Sequence, residues 1–382
     1  MSETMERQYA PGEHPDLPAP SGTKGPIYWI KTNLLSSPLN IIMTLLGGYI
    51  IVTSVPAIID WAFINAVWTD QGLEGSAACR NAEGGPKHDG ACWYYIDVWL
   101  KFMMYGRYPV EELWRVNVSF ALGAIGIAWL MIPNLPKKGL MAIVMLVVWP
   151  IFCFFMFTGG SFGLAEVETP LWGGLFLTLV IAIVGIVASL PIGILLALGR
   201  RSEMPIVQIL CVVFIEFWRG VPLITVLFMS SVMFPLFMPE GVNFDKLIRA
   251  LVGVMLFSAA YMAEVVRGGL QAIPKGQYEG AQALGLSFWK SMNLIIMPQA
   301  LKLVIPGIVN TFIGLFKDTT LVLIIGLIDF LGSAQASFTN PEWGGFHITA
   351  YVFVAGVFWI FCFSMSRYSL HIEEKLHTGH KR

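Results

Sequence analysis

Charge is what this chain has least of. Lys, Arg, Asp and Glu make up 13% of the residues, and 24 basic side chains almost cancel 25 acidic ones. A chain this close to neutral has no basic footprint for nucleic acid, and no Walker A pattern, metal-ligand cluster or nucleophile motif interrupts it. It is therefore read as no enzyme, with no cofactor bound by the chain itself. An export signal is missing too. Met1 to Ser37 is polar and Pro-rich, without the basic start, apolar core and small-residue cleavage site of a signal. This stretch is expected to be a flexible tail. His347, His371, His377 and His380 form no metal-ligand set and are read as loop or tail residues.

What fills the chain is apolar. Hydrophobic residues account for 56% of it, in runs that reach the ~20 residues needed to cross a bilayer. Hydropathy predicts an all-α polytopic membrane protein with about eight spans. They centre on Leu39 to Trp61, Val116 to Ile132, Leu140 to Phe157, Leu171 to Leu198, Ile206 to Phe237, Leu247 to Ile273, Leu303 to Leu331 and His347 to Met365. Gly220 and Pro222 are expected to break the fifth, and Pro306 and Gly307 to disturb the start of the seventh. Lys137 and Lys138, Arg200 and Arg201, and the set Arg267, Lys275, Lys290 and Lys302 fall in alternate loops. The segments Thr158 to Pro170 and Asp329 to Phe346 hold no Lys or Arg. The positive-inside rule then puts both termini in the cytoplasm. The Met-rich run Phe228 to Met238 is read as adaptable packing, and Trp29, Trp61, Trp343 and Trp359 as interfacial anchors.

The most informative run is Gln277 to Pro298, QYEGAQALGLSFWKSMNLIIMP. Gln277 to Leu284 favours helix except at Gly280, and Gly285 is placed to leave it through a left-handed cap. Ser287 then stands where it caps a second helix carrying Phe288, Trp289, Leu294 and Ile295. A short helix with Tyr278, Ala281 and Leu284 toward one side, held between two spans, makes a rigid plug for a groove on another protein. The plain alternative is an amphipathic surface helix. However, Glu279, Gly280 and Ala281 ahead of Gly285, with an Ile-x-x-Pro ending at Ile295 to Pro298, resemble the cytoplasmic EAA coupling loop of bacterial ABC-importer permeases.

The resemblance extends over the chain from about Leu171 onward. EFWRGVPLITVLF at Glu216 to Phe228, AYMAEVVRGGLQAIPKGQYEGAQALGLS at Ala260 to Ser287, MPQALKLVIPGIVN at Met297 to Asn310 and FKDTTLV at Phe316 to Val322 stand in one order. Together they are similar to the five-span transport domain of polar amino-acid ABC permeases, a type I importer core. With about three further spans ahead of it, the chain looks like the larger permease subunit of general L-amino-acid importers. The organisation so implied is a cytoplasmic tail over 1–38, an extension with a long periplasmic loop over 39–165, the transport domain over 166–370, and a cytoplasmic tail over 371–382. The implied partners are a second, different permease, two ATPase subunits that hold ATP and Mg, and a periplasmic binding protein. The implied substrate is an L-amino acid, and the setting is the bilayer of a bacterial inner membrane. Gly276, Glu279, Gly280, Ala281 and Gly285 become the ATPase-coupling residues. Two positions depart from the family, which commonly has Ala where Gly280 stands and Thr where Val221 stands.

Charges inside apolar runs are the other candidates, since each costs about 2.5–3.5 kcal/mol at bilayer centre on insertion scales. Glu216 and Arg219 stand three apart, Lys317 and Asp318 are adjacent, and both sets are expected near mid-depth. Mutual neutralisation is one reading. The other, with Asn310 included, is a lining for the path of a zwitterion. Glu264 and Arg267 also fall on one helical face, nearer the cytoplasmic end, and are read as structural or snorkelling. Cys79 and Cys92, in the loop from Val67 to Arg115, form a disulfide or stay as two free thiols. Cys153, Cys211 and Cys362 are read as core residues. The rival solutes for such a permease are polyamines and opines, and the rival mechanism is an ion-driven secondary transporter.

Overall fold

The computed structural model describes residues 25–70, 72–73, 75–80, 90–132, 134–239, 241 and 244–376. The expected tail over 1–24, and His377 and His380, lie outside the described residues. The chain divides into two compact units, 1–67 with 87–91, and 68–86 with 92–382.

In the first unit, α1 (Pro26–Asn33) opens with proline in its first turn, where a missing N–H costs nothing. It is helix where a flexible tail was expected. Helix α2 (Pro38–Ile59) is capped by Ser37, whose hydroxyl accepts from the Asn40 amide at 3.2 Å. A π-turn over Asp60–Ile64 prolongs it into a 27-residue apolar helix, long enough to span a membrane.

The second unit opens with α3 (Trp93–Tyr105), so the long loop expected from Val67 to Arg115 holds a helix of its own. It continues with α4 (Leu113–Met131), then α5 (Lys138–Ile143) and α6 (Trp149–Thr158) joined by a π-turn. Helices α7 (Gly174–Arg200), α8 (Pro205–Gly220), α9 (Leu223–Phe228) and α10 (Lys246–Ala272) follow. The chain ends with α11 (Lys275–Ala283), α12 (Phe288–Ser291), α13 (Met297–Asp318), α14 (Phe330–Phe338) and α15 (His347–Leu376). Among the described residues there is no β-strand, and seven helical stretches are long and apolar enough to span. There are eight if α8 and the segment Leu223–Phe237, bent by 101°, count as one. The bend falls where Val221 and Pro222 turn extended after Gly220.

Two sequence expectations fail. Pro306 does not disturb α13: it lies on an exposed side of an unbroken helix, and the span runs from Phe288 to Ile325 rather than starting near Leu303. Packing against α10 and α15 holds the helix through the one hydrogen bond that the proline removes. Helix α15 continues to Leu376, so the first residues of the expected C-terminal tail, 371–376, are helical.

The core of this unit lies where α7 packs along α10, and α10 along α13. Gly185 and Gly193 of α7 leave room for Leu315 of α13 and Met262 of α10. At the Gly174 end of α7, rings of Tyr108, Phe120, Phe157, Trp172 and Phe176 interlock, with Phe157 and Phe176 centroids 4.9 Å apart. Buried Arg115 ties this region together through Glu112 at 2.9 Å and the Ala165 carbonyl at 3.0 Å. Cys79 and Cys92 are joined, with Cα atoms 6.0 Å apart. Beside them, Arg80 donates to the Glu342 and Gly344 carbonyls at 2.8 and 3.1 Å, and Tyr95 bonds to Ser337. The segment ahead of α4 is thereby fastened to the connection between α14 and α15.

Gly174 sits at the crossing of these parts. Its φ is +63°, and a Cβ there would lie 2.2 Å from the Met103 carbonyl oxygen. Gly174→Ala is expected to cost about 2–4 kcal/mol, from left-handed strain plus overpacking. Thermal unfolding of the purified protein checks it. Gly139→Ala, where a Cβ meets nothing within 4 Å, should leave the midpoint unchanged.

A second expectation concerns pH. Asp329 caps α14 by accepting from the Leu331 and Gly332 amides at 3.2 and 2.9 Å, and burial pushes its carboxyl up to about 6. A raised carboxyl favours the protonated folded state. Its stabilising contribution is therefore full below the unfolded value near 4 and is lost as pH rises through about 6. Melting midpoints should fall from pH 4.5 to 7 by an increment that Asp329→Asn removes. An identical pH profile in the variant would defeat the assignment.

Candidate functional site

The site is built at the other end of α7, about 40 Å from Gly174 at 1.5 Å per residue. There α10 stops at Ile273 and Pro274, and the chain turns into α11. Helix α11 ends as its sequence dictates. Gly285 takes φ +68°, its amide donates to Gln282 at 2.8 Å, and the Leu286 amide reaches back to Ala281 at 3.2 Å. This Schellman closure satisfies the last carbonyls. Ser287 stands at the N-cap position of α12 without a side-chain cap bond.

The faces of α11 differ from the expected plug. Ala281 is buried and Tyr278 half-buried against the body, whereas Leu284 is 75% exposed. The outward face consists of Gly276, Glu279, Gly280, Gln282, Ala283 and Leu284. A Cβ at Gly276 or Gly280 would meet nothing within 4 Å, so both glycines serve an open surface. Inward, Tyr278 donates to the Leu270 carbonyl at 3.0 Å and receives Arg201 Nη1 at 3.1 Å. The Arg201 guanidinium also covers the Tyr278 ring at 5.5 Å. Gln299 of α13 donates to Gln277 at 3.1 Å. The short helix is thus tied to α7, α10 and α13 together. Sequence reasoning missed the parts played by Arg201 and Gln299, because both partners lie far along the chain.

Next to Arg201 begins a charge network. Glu264 of α10, 16% exposed, receives Arg267 at 2.7 Å, Arg200 of α7 at 2.8 Å and Arg219 of α8 at 3.6 Å. Arg200 also holds Glu216 of α8 at 2.9 Å, and Arg219 covers the Tyr261 ring at 5.8 Å. The expected neutralisation of Glu216 by Arg219 does not occur. They point to different partners, and the hub is Glu264. Charge-assisted bonds from Arg200 and Arg267 to one carboxylate, with the longer Arg219 ion contact beside them, join α7, α8 and α10 at this level.

The remaining candidates lie apart. Asn310 and Lys317 occupy an exposed face of α13, with Asp318 half-exposed beside them. No ion pair joins Lys317 to Asp318 among the described residues, so the expected pair is not formed. Lys302, Pro306, Asn310 and Lys317 follow at helical spacing on that face, a polar stripe along an otherwise apolar span.

The family described as binding-protein-dependent transport system inner membrane component matches residues 189–378, which hold α8, α10, α11 and α13 complete. The inner membrane amino-acid ABC transporter permease protein YhdY of Escherichia coli K12 is 52% identical over 96% of this chain and 97% of its own length. The chain belongs to this family of ABC importer permeases. The permease is also 40% identical, over 95% of its length and 96% of the relative's, to BztC of Rhodobacter capsulatus, a glutamate/glutamine/aspartate/asparagine transport system permease protein. A shorter relative, the probable amino-acid ABC transporter permease protein YckA of Bacillus subtilis, is 32% identical over 53% of this chain and 87% of its own. Charge network and α11 therefore lie in the family-defining part, in a membrane-embedded subunit that is not itself an enzyme.

Proposed function

We propose that this permease is the larger of two different membrane subunits in an ATP-driven importer of L-amino acids. Full-length identity to a permease named for amino-acid transport is the observation that carries the substrate class. α11 is the coupling helix. Its open face, with Gly276, Glu279, Gly280, Ala281 and Gly285 as its structural frame, enters a groove on one of two ATPase subunits, which bind ATP and Mg while this chain binds neither. The side carrying α11 is cytoplasmic, both termini lie there, and the α14 end faces the periplasm of a bacterial inner membrane, where an amino-acid-binding protein docks and where Cys79 and Cys92 meet an oxidising compartment.

The linkage of α11 supports a transmission route. ATPase closure displaces α11, Tyr278 pulls on Arg201 and on the end of α10, and Arg200 carries the shift to Glu264, Glu216 and Arg219. The helices then rock as bodies between inward-open and outward-open states. Asn310, Lys317 and Asp318 supply donors and an acceptor to the passing zwitterion from the exposed side of α13, facing the second permease.

Uptake by the reconstituted complex in proteoliposomes tests this reading. Labelled L-amino acids should accumulate only with ATP and binding protein, unaffected by ionophores, with polyamines and opines failing to compete. Asp318→Asn and Arg219→Gln, once shown to assemble, should lower uptake together with substrate-stimulated ATP hydrolysis. Uptake that persists without ATP and collapses with an ionophore would replace the proposal by a secondary transporter.

A further inference from the structure

A cavity of about 700 Å³ opens between the α4–α6 pair and the outer halves of α7 and α10, away from α11 and α13. Its walls are apolar: Phe120, Trp149, Phe154 and Val184 run down it. Its mouth is acidic, formed by Glu166, Glu168 and Asp245. Among the described residues no Lys or Arg lines it. From Thr158 up to Trp149 the wall descends about 13 Å at helical rise, close to the roughly 15 Å depth of one hydrocarbon leaflet. Trp172 lines the same space, 6% exposed, and its indole N–H has no acceptor among the described residues. That nitrogen is itself buried and offers nothing to a molecule in the cavity, whose recognition falls to the apolar walls and the acidic mouth.

The two features demand different parts of one molecule. The aromatic walls take hydrocarbon, and the acidic mouth takes a cation. Asp245 is already engaged by the Leu247 and Ile248 amides and the Thr169 hydroxyl. The exposed Glu166 and Glu168 are free of such bonds to backbone and remain for the cation. We propose that this cavity is a binding site for a phospholipid with a primary-amine headgroup. The acyl chains lie along the α4–α6 pair, and the ammonium donates to Glu166 and Glu168. A glycerol headgroup offers no cation, and a choline headgroup has no N–H to donate. The lipid wedges the extension against α7 and α10, giving the additional spans a role in seating the transport core. This assignment is independent of the transported solute.

The test places the assembled complex in nanodiscs with equal amounts of ethanolamine, choline and glycerol phospholipids, then counts retained lipids by native mass spectrometry. The wild-type complex is expected to retain the ethanolamine lipid roughly tenfold over the other two, the scale of one charge-assisted bond. Glu166→Gln with Glu168→Gln, both exposed and so neutral to folding, should reduce that preference below about twofold. Val184→Trp, which fills the cavity, should release the retained lipid. Equal retention of all three by the wild type overturns the proposal, as does a preference that survives the double Gln variant. Equal retention of the choline lipid alone overturns the primary-amine assignment.

Discussion

Glu264→Gln is expected to uncouple three helices at once. In the wild type, Arg200, Arg219 and Arg267 converge on one carboxylate. Neutralising it leaves three guanidinium groups sharing only Glu216, which is 52% exposed and paired to Arg200 alone. Breaking a buried pair costs about 3–5 kcal/mol, because the stranded charges remain desolvated. Glu264 is 16% exposed and Arg200 23%, which argues for the lower end, about 3 kcal/mol. Thermal unfolding of the purified complex and its yield in membranes measure the loss. Glu216→Gln supplies the comparison. Its carboxylate lies largely in water, where pairs contribute about 0–1 kcal/mol. Equal losses in the two variants would remove Glu264 from its central position. The function should follow the hierarchy: Glu264→Gln protein that does assemble is expected to hydrolyse ATP without transport, since the joint between α7, α8 and α10 no longer moves as one piece.

Glu279→Lys and Gly285→Val are expected to lower uptake at least tenfold, or about 1.4 kcal/mol of coupling, while insertion stays normal. The arguments differ. Glu279 is exposed on the outward face of α11, so its reversal disturbs nothing within the chain and acts only on a docked partner. At Gly285 a Cβ meets no atom within 4 Å, so valine acts through backbone strain alone. At φ +68° that strain amounts to about 1–2 kcal/mol, enough to re-aim the exit of α11 but not to unfold the protein. Uptake and ATP hydrolysis should be measured on the same proteoliposomes. Wild-type transport by both variants would exclude α11 as the docking element. Persisting hydrolysis with lost uptake is the expected signature.

Much of this architecture is legible in the residues because the bilayer simplifies the code. Apolar runs of about 20 residues mark spans wherever they occur, and the predicted spans recur in the structure from Pro38–Ile64 to His347–Leu376, except that the seventh begins earlier, at Phe288. Local backbone chemistry is equally readable. Gly285 terminates α11 in the left-handed region, and Gly220 with Pro222 bends the fifth span, since in each case the cause lies within a few residues of the effect. Proline by itself misleads: Pro306 stays inside an unbroken α13, because neighbouring helices hold the segment through the lost hydrogen bond.

What only the tertiary structure decides is pairing. Glu216 and Arg219, three apart on α8, read as partners, yet each is taken by a residue from another helix. Sequence proximity permits a pair, but the charge finds whichever opposite charge the packing brings nearest, and that is Arg200 or Glu264 from 16 or 45 positions away. The same holds for Arg201 with Tyr278, 77 positions apart, and for the acidic mouth that joins Glu166 and Glu168 to Asp245. Composition and the lengths of the apolar runs determined that this is a polytopic membrane protein, and local residues determined where α11 ends. The convergence of charges on Glu264 and the cavity beside the extension exist only once the helices have packed, because both are made of contacts between segments distant along the chain.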